Sequence, residues 1–135
     1  MKYVTFIGRL LFGAIFLLTA YGHFMPETIN YAASKGIPLA AVAVPLSGVM
    51  EIIGALSIVI GYKANWGAWL IVLFLIPISL GMHSFWTIED PIARYGDMVH
   101  FLKNISMLGG ALILTQVEPG SISLDRILNT ERANA

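Results

Sequence analysis

Long runs of apolar residues, separated by short polar segments, dominate this chain. The four longest runs cover about residues 3–21, 39–60, 66–82 and 99–117. Each is close to the ~20 apolar residues with which an α-helix crosses a hydrocarbon core of about 30 Å. The runs are apolar on every side and lack the alternation of membrane β-strands. The pattern therefore predicts an all-α fold, an integral membrane four-helix transmembrane bundle with short loops.

Helix breakers mark the limits of these runs. The segment Lys35-Gly36-Ile37-Pro38 precedes the second run, and Glu118-Pro119-Gly120 ends the fourth. Pro77 lies inside the third run and is expected to kink that helix, which neighbouring helices can tolerate. The residues after 120 predict an interfacial tail over 121–135. The length allows one domain, residues 1–135.

The first run is interpreted as a retained helix and not as a signal peptide. It is long, it carries Arg9, and it lacks a small-x-small cleavage site at its end. The whole chain is 57% hydrophobic and 12% charged, whereas soluble domains carry about 25% charged residues. A soluble fold of this length could not bury so much apolar surface. The lipid bilayer is therefore the expected partner.

The remaining composition mainly excludes functions. Eight basic and eight acidic residues cancel, and no Lys/Arg cluster predicts nucleic-acid binding. The absence of cysteine excludes disulfides, Cys-ligated metals and thiol chemistry.

Basic residues of short loops predict the orientation in the membrane. With four spans, both termini lie on one side, and that side has more basic loop residues than the other: Lys2, Lys63, Arg126 and Arg132 against Lys35 and Arg94. The bias predicts a multi-pass protein of the bacterial cytoplasmic (inner) membrane with both termini in the cytoplasm.

Glu51, near the middle of the second run, is the most informative polar residue. A charge at mid-helix costs about 2.5–3.5 kcal/mol on insertion scales, so something must offset that cost. Gly48 and Ala55 share its helix face and indicate close contact with another helix. Glu51 is either a functional carboxylate that binds a ligand or relays protons, or a structural carboxylate paired with a neighbour. Arg9 and Lys103 are the candidate partners, although Arg9 could instead snorkel to the headgroups.

A second polar group lies at the membrane side opposite the termini. His100, Lys103 and Asn104 share one face of the fourth run, and His23 and His83 end the first and third runs at the same side. Imidazoles with nearby carboxylates can ligate a metal or a haem iron, or they can bind a quinone headgroup or protons. The histidines do not show the ligand spacing HxxxH or HExxH. These alternatives stay open.

Several short motifs resemble the DoxX family of small four-helix membrane proteins. They are Arg9-Leu10-Leu11-Phe12-Gly13, Gly48-x-x-Glu51-x-x-Gly54, His83-Ser84-Phe85-Trp86, Lys103-Asn104-x-x-x-Leu108-Gly109-Gly110-Ala111, Pro119-Gly120 and Ser123-Leu124-Asp125. The resemblance covers nearly the whole chain, and the order and spacing of the motifs carry it.

The resemblance implies a quinone/quinol-linked redox accessory subunit with a buried polar site and a membrane or peripheral oxidoreductase as partner. Whether the chain is itself an enzyme stays open. The site residues fall into three sets: catalytic Glu51, His83 and His100; quinone-binding Arg9, Glu51, His83, Trp86, His100, Lys103 and Asn104; and, for a metal or haem, His23, His83 and His100. The alternative function is a non-enzymatic membrane scaffold or small-solute carrier.

Overall fold

The computed structural model of the chain describes residues 2–133, and the regular structure in that part is entirely helical. Six α-helices follow one another: α1 (Lys2–Thr19), α2 (Pro26–Ser34), α3 (Ala40–Ile60), α4 (Ala64–Met82), α5 (Pro91–Leu114) and α6 (Leu124–Ala133). Short 3₁₀ helices, Ala20–Phe24 and Phe85–Thr87, follow α1 and α4. The prediction of an all-α membrane protein is confirmed.

The predicted number of four membrane spans is not matched. Three segments within the described residues are long and apolar enough to cross a bilayer: Tyr3–Phe24, Ala40–Ile60 and Ala64–Thr87. Most of the fourth apolar run lies in α5, but Asp97, His100, Lys103 and Asn104 make that helix polar from its N-terminal part to beyond its middle. α5 also begins eight residues before the predicted start at 99, because Asp90 caps it. The Asp90 carboxylate accepts a hydrogen bond of 2.7 Å from the Ala93 N–H, and Pro91 occupies the first helical position.

α3 is the central helix and packs against α1, α2 and α4. α3 and α4 approach closely because glycines face each other across the contact. A Cβ at Gly54 would lie 2.9 Å from the carbonyl oxygen of Gly67. α1 is similarly close, since a Cβ at Gly13 would lie 3.3 Å from the Ala55 carbonyl oxygen. The small residues therefore set the spacing of the helices, as in other membrane bundles.

Arg9 fixes the C-terminal segment to the bundle. The side chain is 1% exposed. Its Nη1 donates to the Ile58 carbonyl at 3.2 Å, and Nη2 donates to the Ile122 carbonyl. Asp125 completes the contact, because its carboxylate accepts from the Lys63 N–H at 2.8 Å. The tail expected at the interface is thus held at the turn between α3 and α4, with α6 following it.

Candidate binding site in the bundle interior

Glu51 is buried in the bundle, 2% exposed, and a polar residue of α1 contacts it. The Thr19 hydroxyl lies 2.8 Å from Oε1 and donates to it. His23, four residues further along the chain, places Nε2 3.2 Å from Oε2. The carboxylate therefore meets the polar end of α1 and not a lysine or an arginine.

Neighbouring residues of α3 and α4 position His23. Its Nδ1 lies 2.8 Å from the Ser47 hydroxyl, and its ring packs against Phe74 with 5.5 Å between ring centroids. Gly48 allows the approach, because a Cβ there would lie 2.6 Å from the His23 Cβ. The close helix contact predicted from Gly48 and Ala55 is confirmed, and at Gly48 it brings the histidine to the carboxylate.

One oxygen of Glu51 is left without a hydrogen bond. Oε2 is buried and makes no hydrogen bond within the part of the chain that the structure describes, although the His23 ring is near. A buried acceptor without a donor costs about 1–3 kcal/mol. Glu51 lines a cavity of about 140 Å³, together with Thr19, His23 and Asn104. A ligand group in this cavity could supply the missing donor.

A second, larger cavity adjoins the first. It measures about 270 Å³ and lies between α2, α3 and α4. The two cavities share His23, Phe74 and Ile78 as lining residues. The larger one is walled almost entirely by apolar side chains. The polar and apolar parts of the interior therefore lie side by side.

The structure separates Arg9 from Glu51. Arg9 contacts the Ile58 and Ile122 carbonyls at the end of the bundle where α6 docks, so the predicted Arg9–Glu51 pair is wrong. The alternative of snorkelling is wrong as well, since the side chain is buried. The physical reason is that nearby main-chain carbonyls accept from Nη1 and Nη2 of the guanidinium, although its Nε has no acceptor within residues 2–133.

Asn104 and Lys103 line the 140 Å³ cavity with Glu51. Asn104 is buried, whereas Lys103 is exposed. Lys103 forms no ion pair with any residue between 2 and 133, so the predicted Lys103–Glu51 pair is not formed. Of the polar face predicted for His100, Lys103 and Asn104, the last two line the cavity and His100 does not.

A second polar cluster occupies the ends of α4 and α5, and its His83 also lines the 140 Å³ cavity. Asp97 lies between His83, at 3.0 Å, and Lys35, at 3.5 Å, and the His83 and His100 rings stack at 5.3 Å. Burial alone would lower the pKa of Lys35, but Tyr31 and Asp97 outweigh it and raise the pKa above its ordinary value. Lys35 therefore keeps its positive charge at neutral pH.

The three histidines expected as metal ligands fall into two groups, since His23 is held by Glu51 and Ser47. No set of three or more His, Asp or Glu residues within 2–133 is close enough to hold a metal ion. Trp86 is exposed, packs against the half-buried Phe85 and Phe101 and does not line the 140 Å³ cavity.

Sequence reasoning missed Thr19 and Ser47. A signal was available, because Thr19 and His23 are four residues apart at the end of the first apolar run, as are Ser47 and Glu51 within the second. Two such polar pairs on consecutive apolar segments indicate that their polar faces meet.

Fold and site together define a multi-pass helical membrane protein with a buried carboxylate site beside an apolar cavity. The model of the SURF4 family matches residues 39–129. The chain belongs to the SURF4 family.

Bacterial relatives match over most of their length. The chain is 32% identical over 122 residues to the inner membrane protein YphA of Escherichia coli, covering 89% of this chain and 86% of that protein. It is 27% identical over 125 residues to the inner membrane protein YqjF of the same organism, covering 91% and 90%. A Surfeit locus protein 4 homolog of Drosophila melanogaster is 31% identical over 85 residues, which is 57% of this chain and 30% of that protein. No solved structure matches.

These comparisons overturn the resemblance to the DoxX family. The identification was wrong, because the matching family model and the relatives are those of SURF4. The DoxX resemblance had implied a quinone-linked redox role and an oxidoreductase partner. Both are unsupported now that this resemblance is overturned. The scaffold or carrier alternative is not what the family match supports either. The short motifs misled because glycines, a carboxylate and aromatic residues at loose spacing satisfy the packing needs of many small membrane bundles.

Proposed function

We propose that this protein is a membrane-embedded receptor that binds a ligand through Glu51 in the bundle interior. The ligand presents a hydrogen-bond donor, such as an amine, to the carboxylate. The observation that carries the proposal is the buried Oε2 of Glu51, which meets the His23 ring at 3.2 Å but accepts no hydrogen bond within residues 2–133. Glu51 lines a cavity of about 140 Å³. That oxygen is an incomplete contact that a donor from outside the chain would complete.

The surroundings of Glu51 support binding in preference to a purely structural role. A structural carboxylate is normally satisfied on both oxygens by its own protein. Here Thr19 donates to Oε1. His23 lies at Oε2, but Ser47 donates its hydroxyl proton to the Val44 carbonyl, so Nδ1 of His23 donates to Ser47 and the neutral ring has no N–H for Oε2. The cavity is also of a useful size, since cavities of about 150 Å³ hold a molecule such as benzene. A charge-assisted hydrogen bond in this low-dielectric interior would give the ligand both affinity and orientation.

Benzylamine tests the proposal because its ring suits the cavity and its ammonium group offers donors. We expect the purified protein to bind benzylamine, to bind benzyl alcohol more weakly because its single donor is uncharged, and to reject benzoate, which has no donor. Glu51→Gln should weaken benzylamine binding by about tenfold to a hundredfold, which corresponds to a charged hydrogen bond of about 1.5–3 kcal/mol. Isothermal titration calorimetry in a mild detergent measures the affinities.

The matched control for this experiment is Glu89→Gln, which removes an exposed carboxylate outside the site. It should bind benzylamine like the unmodified protein. Equal affinity of Glu51→Gln and the unmodified protein, with both folded, would show that the carboxylate does not recognise the ligand. Absence of benzylamine binding by the unmodified protein would also refute the proposed role.

We further propose that α5 is a fourth span and that both termini lie in the cytoplasm of a bacterial cell, at its inner membrane. Contacts at both ends of α4 support the span. The Asn65 side chain donates to the Thr115 carbonyl at 2.8 Å, while His83 meets Asp97 at the opposite end. α5 therefore extends as far as α4. Arg9, which contacts Ile122, brings the chain after α5 back to the end where α1 begins.

Reporter fusions test this topology. A C-terminal alkaline phosphatase fusion should be inactive and a C-terminal fluorescent protein should fluoresce, because both would be cytoplasmic. A phosphatase fused after Gly36, between α2 and α3, should be active and serves as the control. High phosphatase activity at the C-terminus would instead establish three spans.

A further inference from the structure

We propose that the ligand of Glu51 is a single-chain amphiphilic amine whose alkyl tail occupies the apolar cavity between α2, α3 and α4. This inference rests on the proposed function and specifies the ligand class. The head would bind in the 140 Å³ cavity, and the tail in the adjoining one of about 270 Å³.

The composition of the larger cavity selects an alkyl tail. Its lining is aliphatic or aromatic apart from His23, Thr28 and Ser47, and two of these polar groups are already engaged. The Ser47 hydroxyl donates to the Val44 carbonyl at 2.7 Å and contacts His23. A polar ligand portion would lose its hydrogen bonds to water without replacement. At the density of a cavity that holds benzene, the volume accommodates roughly ten carbon atoms.

The two cavities have three lining residues in common: His23, Phe74 and Ile78. The rings of His23 and Phe74 are in contact. His23 also lies next to the Oε2 of Glu51, which has no hydrogen-bond donor within residues 2–133. One molecule with a donor at one end and an alkyl chain behind it would place the donor at this oxygen and the chain in the apolar cavity.

The rim of the larger cavity indicates that the ligand enters from the bilayer. Leu46 of α3 and Leu73 of α4 line it, and their side chains are 56% and 60% exposed. Exposed leucines on two candidate spans face acyl chains. The opening is therefore accessible to a molecule that is already dissolved in the membrane.

A photoreactive probe tests the position of the tail. The probe is a decylamine with a diazirine at the end of its chain, added to the full-length protein in phosphatidylcholine nanodiscs and mapped by mass spectrometry after irradiation. We expect adducts on lining residues of the apolar cavity, such as Ile37, Ile78 and Met82. Excess decylamine should abolish these adducts, and decanoic acid should leave them.

Two variants that each replace an alanine of α3 with phenylalanine provide the test and its matched control. Ala43 lines the apolar cavity, so Ala43→Phe should fill it and reduce labelling there at least fivefold. Ala41 is exposed and lies outside the lining, so Ala41→Phe should label like the unmodified protein. Thermal unfolding of both variants confirms that each is folded. If Ala43→Phe does not fold, Leu73→Trp at the rim replaces it, with the same expectation.

The outcomes separate this inference from the proposed function. Labelling of the cavity that is lost in both Ala43→Phe and Glu51→Gln supports the amphiphile. A second outcome is that benzylamine binding depends on Glu51, while the probe adducts are spread over lipid-facing residues and do not change in Ala43→Phe. This outcome overturns the tail site and leaves the receptor role. If the cavity is still labelled in Glu51→Gln and decanoic acid competes with the probe, the cavity binds any acyl chain and does not select an amine. That outcome overturns the inference.

Discussion

Replacing Arg9 with alanine is expected to lower the free energy of unfolding by about 3 kcal/mol. The change removes the donors of two main-chain carbonyls, those of Ile58 and Ile122. A buried acceptor that loses its donor costs about 1–3 kcal/mol, and the missing side chain leaves an additional void. Because Ile122 lies in the segment before α6, the C-terminal helix should also detach from the turn between α3 and α4.

Reversible unfolding in mixed micelles of mild detergent and dodecyl sulfate measures the loss. Proteolysis near residue 124 should become faster in Arg9→Ala, since the detached segment is accessible. Arg126→Ala is the control, because Arg126 is an exposed arginine at the same end of the protein and should change stability by less than about 0.5 kcal/mol. Equal stability of the two variants would mean that Arg9 does not secure the C-terminal segment.

Replacing Gly54 with alanine is expected to cost about 2 kcal/mol, although alanine favours helices. The new Cβ would lie 2.9 Å from the Gly67 carbonyl oxygen and 3.0 Å from the Ile71 side chain. The oxygen belongs to the main chain of α4 and cannot rotate away, so α3 and α4 must move apart. Overpacking of this kind costs about 1–3 kcal/mol.

Gly109→Ala is the matched control for the helix contact. Gly109 lies within α5, and a Cβ there meets nothing within 4 Å. This variant should gain about 0.5–1 kcal/mol from helix propensity alone. The same dodecyl sulfate titration compares both variants. A stabilised Gly54→Ala would contradict the close crossing of α3 and α4.

Part of the candidate site could be predicted from the sequence. Glu51 is conspicuous because a carboxylate in an apolar run needs compensation, and Gly48 correctly indicated that another helix approaches it. The partner could not be predicted in the same way. Arginine and lysine were considered because opposite charges attract, but Thr19 and His23 occupy the place. Which helix face meets Glu51 depends on the crossing of α1 and α3, and periodicity along one chain does not contain that geometry.

The ends of the helices were likewise predictable only in part from the sequence. Apolar length and breakers placed α3 and α4 within two residues of their observed limits, because the hydrocarbon core sets a length that composition reveals. α2 was not anticipated, since it carries too few apolar residues to stand out. The early start of α5 depends on a cap at Asp90, a local signal that lay outside the apolar run.

The sequence by itself determined that the chain is a helical membrane protein with a carboxylate inside it. Hydrophobicity and length are additive properties of residues, so a single chain reveals them. The tertiary structure alone decided that Arg9 secures α6, that Oε2 of Glu51 has no hydrogen-bond donor within residues 2–133, and that a polar and an apolar cavity share lining residues. These features arise between helices that are distant along the chain, and they depend on how close the glycines allow those helices to come.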